Sequence, residues 1–166
     1  MTNAEIRHVA IGSGRGDAAL VEYDPKRLGE KSEPHLHEIE KGAIRRFAEA
    51  LGETNPIYFD EEEARRHGYR GLLAPPTFPV TLRRNPVPGL TMPRAGVIHG
   101  EQEFIYGEPI CSGDVITVTA WLEDVRERRG SRGAMTLVTV VSEGVHQNGA
   151  MAFQSRSTMI VTEGVK

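Results

Sequence analysis

From Val97 onward the chain is written in long alternating runs, and this stretch narrows the choice of fold more than any other. Val115 to Val125 sets Ile116, Val118, Ala120 and Leu122 on one side and Thr117, Thr119 and Trp121 on the other, the period of two expected of a strand covered on both faces. Met135 to Val145 and Met151 to Val161 read as two more strands, and Asn148-Gly149 between them is the dipeptide best suited to a tight type I′ hairpin. Gly130 to Gly133, flanked by Arg126, Arg128, Arg129 and Arg132, reads as a polar hairpin loop. Val97 to Tyr106 is the first strand of the series, turned by Gly107 to Gly113. Consecutive hairpins predict an antiparallel sheet.

A sheet with an apolar face needs a cover, and the N-terminal half supplies helical pieces. Ile44, Phe47, Ala48 and Leu51 recur at helical spacing over Lys41 to Leu51, and Gly52 can take the left-handed conformation that closes a helix. A polar loop, Glu53-Thr54-Asn55, follows. Pro56 keeps Asn55 out of the α region, so Asn55 is placed to cap a short turn while Ile57 and Tyr58 point inward. Asp60 opens a second helix, with acidic residues in its first turn and Arg65, Arg66 and His67 in its last, and Gly68 ends it. Tandem prolines at Ala74-Pro75-Pro76-Thr77 can begin a helix but not lie inside one. The segment from about Pro76 to Arg84 is therefore predicted to be a short buried helix with Phe78 and Leu82 deeply covered. Helical pieces followed by a meander of strands make an α+β pattern, a twisted sheet wrapped around an apolar helix.

At 166 residues the chain reads as one domain. Residues 1–32 are mixed and Gly-rich and are expected to form a flexible N-terminal segment ahead of a domain over 33–166. The GSGRG run at Gly12 to Gly16 lacks the Lys-Ser/Thr pair of a phosphate loop. Arg84 to Gly96, with three prolines and two glycines, reads as an irregular connection. A net charge of -3 with no basic stripe argues against nucleic acid or an anionic membrane as partner. The single cysteine, Cys111, excludes an internal disulfide and reads as a small buried residue. His35 and His37 share one face of a strand over Pro34 to Glu40, a metal-ligand spacing with no third ligand in view, so no metal is expected. The first residues lack the apolar run of a signal peptide and no stretch approaches a membrane span, which implies a cytoplasmic location.

The loop Gly52-Glu53-Thr54-Asn55-Pro56-Ile57-Tyr58 resembles the G-D-x-N-P-I/L-H loop of the MaoC-like hydratase and dehydratase family, in its FAS1-like dehydratase N-terminal type. The resemblance runs from about His37 to the last strand and includes Pro109 to Asp114, which matches the P-x-x-x-G-D entry to a later strand. It implies a hot-dog fold and a place among (R)-specific enoyl-thioester hydratases and 3-hydroxyacyl dehydratases. It also implies that Glu53 and Tyr58 stand where catalytic relatives carry Asp and His. Glu53 keeps the carboxylate but moves it one methylene outward, and a Tyr58 phenol, with an ordinary pKa of about 10, is no general base at neutral pH. Catalytic relatives use the glycine N–H of an A-H-G segment toward the thioester oxygen, where this chain has Ala74-Pro75-Pro76, and Pro76 has no N–H.

Asn55, Pro76, Thr77, Phe78 and His99 are the residues that the resemblance sets on the substrate side. It implies an acyl thioester, carried on CoA or acyl carrier protein, as ligand, and no cofactor. The expectation is a degenerate acyl-binding half that forms a dimer, with itself or with a catalytic MaoC-like subunit. Two alternatives stand beside it, an active homodimeric enoyl-CoA hydratase using Glu53 with Tyr58 or His99, and a non-enzymatic acyl-CoA binding module. Whether the chain is an enzyme stays open at this point. The arginines around Gly130 read as solvated rather than as ligands of coenzyme A phosphates.

Overall fold

The computed structural model describes residues 7–10, 20–130 and 133–162. The strands are β1 (Arg7–Ala10), β2 (Leu20–Tyr23), β3 (His35–Glu38), β4 (Leu90–Thr91), β5 (Val97–Tyr106), β6 (Val115–Gly130), β7 (Gly133–His146) and β8 (Met151–Thr162). The α-helices are α1 (Lys41–Leu51) and α2 (Glu61–Arg66). Five strands form the main antiparallel sheet in the order β3-β6-β7-β8-β5, and β1-β2-β4 form a smaller one.

Local signals explain most boundaries. Gly52 closes α1 at φ 72°, its N–H reaching the carbonyls of Ala48 and Glu49. Asp60 caps α2 through Oδ1, which accepts from the Glu62 and Glu63 N–H groups. Along β6, Ile116, Val118, Ala120 and Leu122 are all buried, and they divide between two apolar clusters. One gathers Ile116, Val118 and Phe153 with Ile44, Leu72 and Phe78, and the partly buried Phe47 of α1 packs against it. The other gathers Leu122, Val140 and Val161 with Val21 and Val87. Burial of such side chains, at roughly 25 cal/mol per Å² of apolar surface, drives the sheet and its cover together.

The structure departs from the sequence expectations in four places. The segment Pro76 to Arg84 is not a buried helix but a single 3-10 turn, Phe78–Thr81. Phe78 is 2% exposed, as expected, but Leu82 is only partly buried and Val80 is 59% exposed. The helix cannot continue because the chain is held extended beyond it: Leu82 has ψ 117°, His37 Nε2 lies 2.8 Å from the Arg83 carbonyl oxygen, and Asn85 Nδ2 donates to the carbonyls of Glu33 and Pro34. Pro86 reinforces this by disfavouring the α region at Asn85. The principal helix is α1 instead.

Second, Val97–Tyr106 does not pair with the strand that follows it. It crosses to the far side of the sheet and pairs with β8, Phe104 opposite Ser155. The edge of β6 is already taken by β3, His37 facing Ile116, so the open edge of β8 is what remains. Third, β6 and β7 run beyond the expected ends at Val125 and Met135 to Gly130 and Gly133, so Arg126, Arg128 and Arg129, expected to flank the hairpin loop, are exposed on β6 itself, while Arg132 lies outside the described residues.

Fourth, the N-terminal stretch is not loose throughout. Val21 is fully buried, and the Ser32 hydroxyl oxygen accepts from the Ala120 N–H at 3.0 Å. The GSGRG run lies outside the described residues.

Candidate active-site cavity

The short Phe78–Thr81 turn leaves room over the inner face of the main sheet. A cavity of about 560 Å³ opens there, within the range that holds small-molecule ligands. Thr77, Pro79, Leu82 and Arg84 form its roof, and Val118, Ser142, Phe153, Ser155, Ser157, Gln102 and Phe104 are among its floor and wall. The floor follows from register. Ser142 of β7 faces Ser155 of β8, which faces Phe104 of β5; one step along, Val140 faces Ser157, which faces Gln102.

Strict alternation along β5 would turn His99 away from Gln102 and Phe104. A bulge between His99 and Glu101 corrects this: His99 pairs with Met159 and Glu101 with Thr158, so Gly100 is the extra residue and His99 joins the cavity wall. Glycine suits the bulge, because an added Cβ would stand 2.9 Å from Ile160 Cδ1 and 3.2 Å from the Thr158 carbonyl oxygen, so the Ile160 side chain would have to shift. His99 Nε2 then lies 3.2 Å from Gln102 Oε1, which also accepts from the Ser157 hydroxyl at 2.6 Å.

The loop from Gly52 to Tyr58 is built as its residues suggest. Asn55 Oδ1 accepts from the Ile57 N–H at 3.2 Å, Pro56 opens a 3-10 turn, and Arg45 holds the Phe59 carbonyl from α1. Glu53 and Asn55 are exposed, whereas Tyr58 is buried to 9% exposure beneath the loop. Burial first, and then the nearby Glu53 carboxylate, push the Tyr58 phenol above its ordinary pKa, so it is neutral at pH 7. Neither Glu53 nor Tyr58 lines the 560 Å³ cavity.

Of the other residues singled out in the sequence, Thr77 and His99 line that cavity, while Phe78 sits in the apolar cluster beneath the roof. Pro76 is exposed and borders a second, 260 Å³ cavity with Tyr69, Tyr106 and Glu108; Pro79 stands between the two. The sequence reading missed Arg84, Gln102, Ser142, Ser155 and Ser157. A signal for the last three was present, polar residues at inward positions of otherwise apolar strands, but it becomes legible only once the register is known.

Asp114 of the Gly113-Asp114 pair has a positional role. Its carboxylate accepts two bonds from Arg70 Nη2, at 3.0 and 2.9 Å, and one from the Cys111 N–H at 2.8 Å. It fixes the turn into β6 that carries Val118 to the cavity floor. Cys111 is 1% exposed and its thiol is pushed up by burial, which makes it inert rather than nucleophilic. The His35 and His37 rings lie 4.7 Å apart at a tilt of 41° and pair with Asn85 and the Arg83 carbonyl. Among the described residues no group of three His, Cys, Asp or Glu side chains is arranged to hold a metal ion, and no helix is long and apolar enough to cross a membrane.

The family described as FAS1-like, dehydratase domain region, matches residues 26–155. Among curated relatives, the UPF0336 protein of Thermobifida fusca is 33% identical over 79% of this chain and 87% of its own length. The UPF0336 protein of Leifsonia xyli subsp. xyli is 37% identical over 82% of this chain and 92% of its own. Among solved structures, the ChsH1-ChsH2 complex from Mycobacterium tuberculosis superposes with TM-score 0.68 at 20% identity, over 82% of this chain and 86% of that one. The HadBC (3R-hydroxyacyl-ACP dehydratase) complex from the same organism gives 0.63 at 21% identity, over 77% and 91%. The MaoC-like dehydratase from Rhodospirillum rubrum gives 0.62 at 22%, over 84% and 94%. Sequence and fold together therefore assign the chain to the FAS1-like dehydratase-region family, built as a hot-dog domain of the MaoC-like type.

Proposed function

We propose that this chain is the acyl-binding, non-catalytic half of a two-subunit enoyl-thioester hydratase or 3-hydroxyacyl dehydratase, pairing with a MaoC-like subunit that carries the intact Asp and His. The observation that carries this reading is the separation of cavity from loop: the 560 Å³ space lies over the sheet, whereas Glu53 is exposed outside it and Tyr58 is buried as a neutral phenol. Water addition to an enoyl thioester needs a base that activates water toward Cβ, an acid that protonates Cα and a donor to the thioester oxygen, all held around one bound acyl group, and Pro76 offers no N–H for the third role.

The edge strand supports a partner. Among the described residues, β5 (Val97–Tyr106) pairs only with β8, and Ile98, Ile105 and Tyr106 are each more than half exposed. An edge of that length and apolarity is a template for pairing, and a second hot-dog domain laid along it would extend the sheet and cover the second cavity beside Tyr106. The ChsH1-ChsH2 and HadBC structures are both complexes, which supports the same arrangement here.

The test is co-expression with a MaoC-like subunit that retains D-x-N-P-x-H. A stable complex that hydrates crotonyl-CoA, beside a lone chain that hydrates it very slowly or not at all, is the expected outcome, and Glu53→Gln should leave the complex's rate unchanged. Robust turnover by the chain alone, lost in Glu53→Gln or His99→Ala, would establish the homodimeric hydratase instead.

A further inference from the structure

The floor of the cavity gathers several polar side chains on a largely apolar inner face, where Thr136, farther along β7, is another buried polar residue. Along β8, Phe153 and Val161 are buried in the two apolar clusters, and Ser155 and Ser157 lie between them; along β7, Ser142 follows the fully covered Val140. With Gln102 on the next strand, these residues form a band of hydroxyl and amide groups across β7, β8 and β5. The Ser157 hydroxyl is committed to Gln102, but those of Ser142 and Ser155 make no hydrogen bond to another described residue and are available to a ligand. A plain alkyl chain would leave them unmatched, at the cost of desolvating polar groups without partners.

Arg84 lines the same cavity. It forms no ion pair among the described residues, and no Asp or Glu lines the cavity. Its surface is open, because it faces the cavity, yet the protein around it desolvates the guanidinium enough to lower its pKa. Arginine keeps its charge regardless, and a planar fork of N–H donors in a concave site is suited to a carboxylate or phosphate.

Resting on the acyl-thioester reading above, we propose that Arg84, with the Ser142 and Ser155 hydroxyls, binds an oxyanion of the thioester ligand, so that the cavity selects a ligand with a negative group rather than a purely aliphatic one. That group is either a carboxylate at the far end of the acyl chain or the phosphate of phosphopantetheine, and three probes separate the two.

Titration calorimetry of the purified chain compares S-pentanoyl-pantetheine, S-succinyl-pantetheine and S-pentanoyl-4′-phosphopantetheine, the first uncharged, the second with an acyl carboxylate, the third with a phosphate. A charge-assisted contact predicts that one anionic probe binds at least about tenfold more tightly than the uncharged one. Arg84→Met should abolish that preference while changing the affinity for S-pentanoyl-pantetheine less than about twofold, and Arg84→Lys should restore part of it. A preference for the succinyl probe identifies the carboxylate, and one for the phosphorylated probe identifies the phosphate. Equal binding of all three, or a preference that survives in Arg84→Met, overturns the assignment while leaving the acyl-thioester reading intact. No binding of any probe overturns both.

Discussion

Replacing Phe78 with alanine tests the roof of the cavity directly. The ring is 2% exposed and meets Phe47 edge-on, with centroids 5.5 Å apart. Removing a ring so enclosed costs about 3–5 kcal/mol, lost aromatic pairing included. For a domain of this size each kcal/mol moves Tm by about 2–4 °C, so the expected fall is about 6–20 °C. Leu82→Ala should cost under about 2 kcal/mol, since Leu82 is only partly buried, and Val80→Ala, at a 59% exposed position, should stay within about 0.5 kcal/mol. The assay is thermal and urea denaturation at one fixed protein concentration, because any self-association would make Tm depend on it. The ordering separates the two conformations open to this segment: a helix continuing to Arg84 would bury Leu82 as deeply as Phe78 and make their losses comparable. Equal losses at 78 and 82, or a Phe78→Ala loss below about 1 kcal/mol, would refute the single anchored turn.

Three other outcomes are expected. Gly144→Ala should destabilise by about 1–3 kcal/mol or more, because its Cβ would collide with the Phe153 ring, and denaturation midpoints check this. Asp114→Asn, which weakens the charge-assisted bonds from Arg70 and the Cys111 N–H, should cost about 1–3 kcal/mol, and the loss should persist in 0.5 M salt because the Asp114 side chain is only 12% exposed. Tyr58 has a native pKa raised above its unfolded value, so the native state holds the phenolic proton more tightly. Its contribution to stability is complete below about pH 10 and is lost as pH rises through the raised native value. Tyr58→Phe should therefore flatten the alkaline limb of the stability curve measured by urea titration.

Much of this was readable in advance. The spacing of Ile44, Phe47, Ala48 and Leu51 gave α1, Asn55 and Asp60 announced their caps, and Asn148-Gly149 announced the β7–β8 hairpin, although its turn is not the expected type I′ form, since of the pair only Gly149 takes a positive φ. These are local rules, decided within a few residues. The failures were not local. Whether Pro76 to Arg84 becomes a helix depends on His37 and Asn85 pinning the following backbone to β3, and the neighbour of β5 depends on which edges other strands have already taken. The cavity suffered most: His99 was picked out, but its inward orientation depends on the bulge at Gly100, and Arg84 gains meaning only beside serines some 60 to 70 positions later in the chain.

The strand order also dictates when the cavity can come into being during synthesis. β6, β7 and β8 are joined by hairpins and can pair as they emerge, but β3 must wait for β6, and β5 for β8, whose last residue is Thr162. Such pairings between distant residues are slow to form. Until the final strand leaves the ribosome, the nascent chain therefore carries Val97–Tyr106 with both edges bare and α1 without a completed floor. A premature stop within Met151–Thr162 would release a chain whose helices are made but whose cavity has no wall on the β5 side, the kind of species chaperones retain.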